Sequence, residues 1–249
     1  MSRVSRTFKF TGRVIKFLFT LLIIFICVFL FWRVFGSGDP DSMKTLSIND
    51  SLYEAYNEAD GDLEVFNQGH LTITTAKDNR GYFTLTKTAI IPDANQIQVV
   101  LRYNNGTIRH LEQDFALEST PDRSEDLFDV SLFFSVDLTP DNTEDNAIVS
   151  ENGTRTFRCS SKLVESDTKG LYNYRKFVFD LDECGEDISA LIESGELLAV
   201  YADIYYVEEM DLAQKAYGTI FVYDYKAKNI YVELSKADIK NFESWKADE

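Results

Sequence analysis

Hydrophobic and polar positions change their pattern twice along the chain. The first pattern is an unbroken apolar segment: Phe17–Trp32 has no charged residue, and its apolar flanks extend it over residues 14–35. A helix rises about 1.5 Å per residue, so about 20 residues cross a hydrocarbon layer about 30 Å thick. We therefore predict a transmembrane signal anchor at 14–35, with the lipid bilayer as its partner.

A cleaved signal peptide is the alternative interpretation, with cleavage near Val34-Phe35-Gly36. Its apolar region would exceed the usual length of about 7–15 residues, and it would end at Arg33 beside bulky aromatic rings. Both interpretations place the rest of the chain outside the cytoplasm.

The distribution of charge predicts the orientation of the anchor. All 41 acidic residues and 19 of the 25 basic residues follow the apolar segment, whereas the tail before it is basic. The positive-inside rule then leaves residues 1–13 in the cytoplasm and puts the C-terminal domain outside. The prediction is a single-pass protein of the cell membrane.

The second pattern is a short helical one, and it follows a polar stretch. Residues 36–48 are interpreted as a spacer, and an extracytoplasmic domain extends over 49–249. Asn49 or Asp50 is placed to cap a helix that ends near Gly61.

In the third pattern, apolar and polar residues alternate with a period of two, which is typical of β-strands. The Asn-Gly pair in Asn104–Thr107 accepts the positive φ angles of a type I′ turn and predicts a β-hairpin. A second hairpin is predicted at 226–229. Strands are predicted at 71–75, 82–88, 96–103, 127–138, 154–164, 172–181, 197–207, 219–225 and 230–234.

Two further short helices are expected near and after the last strands. Asp187 is placed to cap the first, which Gly195 ends. Ser235, with Asp238 three residues later, forms a variant of the capping box at the start of the second. Three apolar side chains of this last helix are expected to dock on the strands: Ile239, Phe242 and Trp245.

These elements predict a mainly β protein: an N-terminal transmembrane helix followed by an antiparallel β-sandwich, immunoglobulin-like or jelly-roll, with two or three short helices. The composition is compatible with this prediction, because 45% hydrophobic and 14% aromatic residues exclude a disordered chain.

Cys159 and Cys184 are the two cysteines outside the span, and two interpretations of them stay open. In an oxidising compartment they can form a disulfide. The simple hairpin register opposes this, because a turn near Lys169 places Cys159 opposite Asp180. The alternative is two buried, reduced thiols.

The residue types that carry catalysis or metal binding form no recognised motif. A net charge of −16 argues against nucleic acid as a partner. His70 and His110 are interpreted as half-exposed strand residues, and zinc is not expected without a Cys-x-x-Cys pair. The acidic loops around 137–145 and 180–187 lack the spacing of a Ca²⁺-binding EF-hand. We therefore expect no enzyme activity, no metal and no cofactor.

Tyrosines are concentrated in the C-terminal third of the chain. In Ala199–Tyr206, alternation places Tyr201, Asp203 and Tyr205 on one face and the more apolar even-numbered side chains on the other. Tyrosine rings stack on sugars and anchor protein interfaces. Tyr201 and Tyr205 are therefore the candidate ligand-binding residues.

The expected function is a non-enzymatic interaction or scaffold module at the cell envelope, with an envelope protein as its partner. A carbohydrate-binding β-sandwich that uses exposed tyrosines is the alternative. A hydrolase on the same scaffold is less favoured, because the catalytic motifs are missing.

Overall fold

The computed structural model describes residues 3–35, 38–75, 83–114, 116–137, 148–149, 154–185, 187, 190–191, 194–207, 216–221 and 234–247. The chain divides into two compact units, Met1–Asp39 and Pro40–Glu249. The predicted hairpin at 226–229 and most of the acidic loop at 137–145 lie outside the described residues.

The first unit is dominated by one long helix, α1 (Arg3–Phe35). Its segment Val14–Phe31 has a mean hydropathy of 3.0, and its side chains are exposed throughout. This confirms an N-terminal apolar helix that is long and apolar enough for a membrane anchor or a signal sequence.

The second unit is mainly β, as predicted. Its strands are β1 (Phe66–Thr75), β2 (Phe83–Ile91), β3 (Gln96–Asn104), β4 (Phe128–Asp137), β5 (Ile148–Val149), β6 (Thr154–Ser160), β7 (Lys162–Lys169), β8 (Tyr172–Asp180), β9 (Leu197–Tyr206) and β10 (Ala216–Phe221). Its helices are α2 (Asp41–Lys44), α3 (Asp50–Glu58), α4 (Asn105–Asp114) and α5 (Lys236–Ala247). Turns of 3₁₀ helix lie at Pro92–Ala94 and Asp182–Cys184.

The strands form two antiparallel sheets that share one strand. Sheet A has the order β1-β2-β3-β8-β7, and sheet B has the order β5-β6-β4-β9-β10. Strand β1 pairs with β2 over most of its length, and its last residues, Thr74 and Thr75, pair with β10. The chain therefore passes from one sheet to the other within β1.

One hydrophobic cluster contains side chains from both sheets. Phe128 of sheet B meets two rings of sheet A edge to face, with its centroid 4.9 Å from that of Phe83 and 4.8 Å from that of Tyr103. Aromatic pairs of this geometry contribute about 0.5–1.5 kcal/mol beyond the area that they bury. The inner faces of the two sheets thus share one core.

A second cluster covers the outer face of sheet A, which is the face turned away from that core. Ala89 and Ile91 of β2 pack there with Leu52 of α3 and Phe242 of α5. The Phe242 ring also stacks on the ring of Tyr56, with centroids 4.1 Å apart. Sheet A is therefore buried on both faces.

The docking of α5 differs from the expectation in one respect. Phe242 is 1% exposed, but Ile239 and Trp245 are each 37% exposed, so the expectation that all three dock is wrong for the outer two. Residues three apart lie about 60° from each other around a helix. When Phe242 points directly at the sheet, its two neighbours are rotated toward solvent.

The predicted helix caps are confirmed. Asn49 Oδ1 accepts a hydrogen bond from the backbone N–H of Leu52 at 3.0 Å, and α3 follows. Ser235 Oγ accepts one from the N–H of Asp238 at 3.1 Å at the start of α5. Asp187 Oδ1 accepts one from the N–H of Ala190 at 3.0 Å.

The hairpin predicted at Asn104–Thr107 is wrong. Asn104 Oδ1 instead accepts a hydrogen bond from the N–H of Thr107 at 3.1 Å and starts helix α4, because asparagine is as suitable for an N-cap as for a turn. A Cβ at Gly106 would lie 2.8 Å from that oxygen, so the glycine leaves room for the cap. Consequently His110 lies on a helix, not on a strand.

The single strand predicted at 154–164 is two strands in different sheets. Strand β6 lies in sheet B, and β7, which begins at Lys162, lies in sheet A. At the crossing, the Ser161 hydroxyl donates a hydrogen bond to Asp129 of β4 at 2.5 Å.

A disulfide joins Cys159 of β6 to Cys184, with Cα atoms 5.7 Å apart. Cys159 Sγ lies 3.5 Å from the carbonyl oxygen of Asp180, the residue that the hairpin register placed opposite it. The 3₁₀ turn after β8 then brings Cys184 back toward β6. The bridge therefore links sheet B to the end of a strand in sheet A.

Residues 42–47, which we call the strap, lie on the outer face of sheet A. Met43 and Leu46 are 1% and 4% exposed. Residues from Pro40 onward belong to the second unit, so the sequence predicted as a spacer at 36–48 lies largely within it.

Buried polar side chains satisfy the main chain of the strap. The ammonium groups of Lys176 and Lys87 donate to the carbonyl oxygens of Ser42 and Lys44 at 2.5 and 2.7 Å. Gln98 Oε1 accepts from the N–H of Ser47, and Gln98 Nε2 donates to its carbonyl oxygen, both at 2.8 Å. These bonds fix an irregular segment on a buried sheet face, where unpaired main-chain groups are costly.

Asp238 connects the strap to α5. Its Oδ1 accepts a hydrogen bond from the N–H of Leu46 at 2.6 Å, and the carboxylate is 5% exposed. Burial lowers the pKa of Lys87, and the negative charge of Asp238 acts in the opposite direction. One carboxylate thus stabilises a main-chain donor, a helix start and a half-buried cation.

We expect Asp238→Ala to lower the free energy of unfolding by about 2 kcal/mol, because it removes a charged hydrogen-bond acceptor from a buried N–H. Asp238→Asn should lose less stability, since its amide oxygen can still accept the hydrogen bond. The measurement is urea unfolding of the full chain in detergent. Glu243→Ala, at an exposed position of the same helix, should change stability by less than about 0.5 kcal/mol. Equal losses in the two alanine variants would contradict the role of Asp238.

The disulfide predicts a thiol count. Denatured, unreduced full chain should show one titratable thiol, that of Cys27, and three would disprove the bridge. Replacing both bridged cysteines by alanine should lower the free energy of unfolding by about 3 kcal/mol, measured in the same urea assay.

Candidate functional site

The outer face of sheet B is the face of β4, β6 and β9 that is turned away from the shared core. Along β9, Val200, Ala202 and Ile204 are buried in that core. Tyr201, Asp203 and Tyr205 alternate with them and therefore lie on the outer face, as the sequence predicts.

Cross-strand pairing places specific neighbours beside these residues. Tyr201 lies opposite Phe133 of β4, and Phe133 lies opposite Arg158 of β6. Asp203 lies opposite Ser131 in the same way. The strand order thus gathers residues from three separate parts of the chain.

The two candidate tyrosines differ in exposure. Tyr201 is 38% exposed, whereas Tyr205 is 4% exposed, so the expectation that both are exposed is wrong for Tyr205. The cause is Arg158, whose guanidinium carbon lies 4.9 Å from the centroid of the Tyr205 ring. Of the two, Tyr201 is the side chain accessible to a ligand.

Arg158 of β6 extends over this face. Its guanidinium carbon also lies 5.3 Å from the centroid of the Phe133 ring, and its Nη2 donates to Ser131 Oγ at 2.8 Å. Cation–π contacts at such distances contribute about 0.5–1 kcal/mol each at exposed sites. Two rings and one hydroxyl therefore hold an exposed cation in a defined position.

The electrostatics of Tyr205 follow from its surroundings. Its hydroxyl donates to Asp203 Oδ2 at 2.9 Å. Burial, together with the hydrogen bond to Asp203, raises the pKa of Tyr205 to about 12. The Tyr205 hydroxyl is thus neutral and donates a hydrogen bond to the neighbouring carboxylate.

Three carboxylates of the acidic segment 180–187 accept hydrogen bonds from neighbouring groups. Asp182 Oδ1 accepts from Asn95 Nδ2 at 2.6 Å, Asp180 Oδ1 accepts from the N–H of Asp182 at 3.1 Å, and Asp187 caps a helix turn. Within the described ranges, no group of three or more His, Cys, Asp or Glu residues is placed to hold a metal ion. His70 lies in β1, at a position whose side chain is not described.

A cavity of about 480 Å³ lies beside the strap, between β7 and α5. Its walls include Ser47, Lys162 and Asn241. Its buried cation, Lys176, is bonded at 2.8 Å to Glu165 Oε2 and also to the strap, so this ion pair is already complete. The cavity is therefore part of the packing around the strap.

Sequence reasoning found Tyr201 but missed Arg158 and Phe133. Alternation along each strand indicated which residues share a face, but it gave no order for the strands. That β6 lies beside β4, and β4 beside β9, is long-range information that local periodicity does not contain.

Comparisons with protein-family models, with curated proteins and with solved structures found no match.

We expect Tyr205→Phe to lower the free energy of unfolding by about 1 kcal/mol, because it removes the hydrogen bond to Asp203. Tyr103→Phe is the matched control: the Tyr103 hydroxyl is buried and has no hydrogen-bond partner among the described residues. Its removal should leave stability unchanged or raised. Urea unfolding of the full chain measures both, and a larger loss for Tyr103→Phe would contradict the assignment.

The same two variants test the pH dependence. Burial raises the pKa of both Tyr103 and Tyr205 to about 12, whereas a tyrosine in an unfolded chain ionises near pH 10. The unfolded state therefore loses these protons first, so the stabilisation present below about pH 10 is lost as the pH rises toward 12. Each phenylalanine variant should show a smaller loss over this range.

Proposed function

We propose that the chain is a single-pass membrane protein whose C-terminal domain lies outside the cytoplasm and acts by binding. The anchor is uncleaved, the basic tail at 1–13 is cytoplasmic, and the domain is a β-sandwich of immunoglobulin-like or jelly-roll type. Two antiparallel sheets with one common core support the sandwich.

Two observations support an external location. The basic residues before the apolar helix favour a cytoplasmic N-terminus. The Cys159–Cys184 disulfide fits an oxidising compartment, because thiols stay reduced in the cytosol.

The observation that carries the binding proposal is the contrast between the two sheets. Helices α3 and α5 and the strap pack on the outer face of sheet A. None of the described helices contributes to a hydrophobic cluster on the outer face of sheet B, where Tyr201 and Arg158 are exposed. Tyrosine and arginine are enriched among the residues that dominate the energy of protein interfaces. We infer that this face binds an envelope protein without catalysis.

A carbohydrate-binding domain is the second candidate. The exposed ring of Tyr201, on the same face as the polar side chains of Asp203 and Arg158, has the composition of a surface that stacks on a sugar. Only one exposed tyrosine is available for this role among the two candidates.

The test is cross-linking of the full chain in intact native membranes, followed by mass spectrometry. We expect links from β4, β6 and β9 to one protein, and a marked loss of these links in Tyr201→Ala. Leu171→Ala, at an exposed apolar position of the β7–β8 turn, is the control that should leave them unchanged. Epitope tags at both ends report whether the anchor is retained.

Each outcome separates the candidates. Links that survive in Tyr201→Ala, or that fall equally in Leu171→Ala, would refute binding through the outer face of sheet B. Retention of wild-type protein on envelope polysaccharide, lost in Tyr201→Ala without any protein link, would replace the proposal with carbohydrate binding.

A further inference from the structure

Residues of its own chain fix the position of Arg158, but several of its N–H donors are unused within the described part of the chain. Two aromatic rings and the Ser131 hydroxyl hold its guanidinium group, as described above. An arginine side chain normally loses considerable freedom when it binds, and here the neighbours have already restricted it. A guanidinium group carries five N–H donors in a planar fork, and the hydroxyl of Ser131 uses one nitrogen of it.

The nearby carboxylates are engaged with other donors. Asp203 accepts from the hydroxyl of Tyr205, and Asp129 accepts from the hydroxyl of Ser161 and from the N–H of Val130 at 2.7 Å. In the part of the chain that the structure describes, Arg158 forms no ion pair within 4.0 Å. None of these carboxylates therefore takes up the unused donors of the guanidinium group among the described residues.

A buried arginine of the domain, Arg175, shows the contrast. Arg175 is 1% exposed, and its Nε lies 2.7 Å from Asp126 Oδ1. Its Nη2 also donates to the carbonyl oxygens of Glu125 and Arg123 at 2.7 and 3.3 Å. Arg175, which serves the fold, thus has both a carboxylate and carbonyl oxygens as acceptors.

We infer that Arg158 is the anchor for a carboxylate on the protein partner, with the ring of Tyr201 packing against the apolar surface beside that carboxylate. This inference rests on the proposed function and names the chemistry of its partner. The argument is charge complementarity: an exposed cation with unused donors lies in a fixed position, and the arginine fork matches a carboxylate in two parallel hydrogen bonds. The occupant is an Asp- or Glu-bearing segment of a protein.

The experiment uses the full chain in native membranes, with a photo-reactive phenylalanine analogue in place of Tyr201. We expect it to cross-link a protein segment that carries an acidic residue at or beside the linked position. In Arg158→Ala the yield should fall by about tenfold or more, because the partner's carboxylate is left without its cation. Arg158→Lys keeps the charge but loses the planar fork, so its yield should lie in between.

Arg102→Ala is the matched control. The guanidinium carbon of Arg102 lies 4.8 Å from the centroid of the Tyr172 ring, so the variant removes the same charge and the same kind of contact from sheet A. Its cross-link yield should equal that of the parent. Formation of the Cys159–Cys184 bridge in every variant reports that β6, which carries Arg158, is correctly placed.

The outcomes separate this inference from the proposed function. An undiminished yield in Arg158→Ala, or a linked segment without an acidic residue, overturns the carboxylate anchor and leaves the protein-binding proposal standing. Absence of any protein link at Tyr201 in the parent overturns both, and a link to glycan instead favours the carbohydrate candidate.

Discussion

The architecture depends on satisfying the main chain of the strap. A single helical turn and the extended residues after it have no ladder to pair with, so their N–H and C=O groups can lie on a buried sheet face only if side chains bond them. Lys87, Gln98, Lys176 and Asp238 provide these bonds from β2, β3, β8 and α5. Because they do so, the strap and α5 can cover sheet A, whereas no described helix covers the outer face of sheet B.

This arrangement could be predicted from the sequence only in part. Local signals were sufficient for the apolar helix, for the caps at Asn49 and Ser235, and for most strands, since each depends on neighbouring residues. The Asn104–Thr107 segment is compatible with both a hairpin turn and the start of a helix. Strand β3, which ends at Asn104, pairs with β8 and not with the residues after the segment, and those residues form a helix. Burial of a lysine such as Lys176 on a sheet face has no sequence signature, because charged residues ordinarily indicate solvent.

The same limit applies to the candidate site. Alternation placed Tyr201 and Tyr205 on the outer face of β9, yet it could not indicate that one of them lies beneath an arginine from β6. Arg158 belongs to a stretch that the sequence presents as one continuous strand. Only the crossing at Ser161, which divides that stretch between two sheets, brings Arg158 beside β4 and β9.

If Arg158 anchors a carboxylate as proposed, the charge of the chain determines how the site selects a partner. A net charge of −16 repels polyanions at long range, but this repulsion is screened beyond about 10 Å at moderate ionic strength. Arg158 acts at contact, where its position is fixed by Phe133 and Tyr205 and where a docked surface excludes water. A carboxylate therefore gains little binding free energy from long-range electrostatic attraction to this domain. It binds only when the surrounding partner surface fits against Tyr201 and brings the carboxylate to the guanidinium group of Arg158. The shape of the partner surface therefore determines which acidic segments bind.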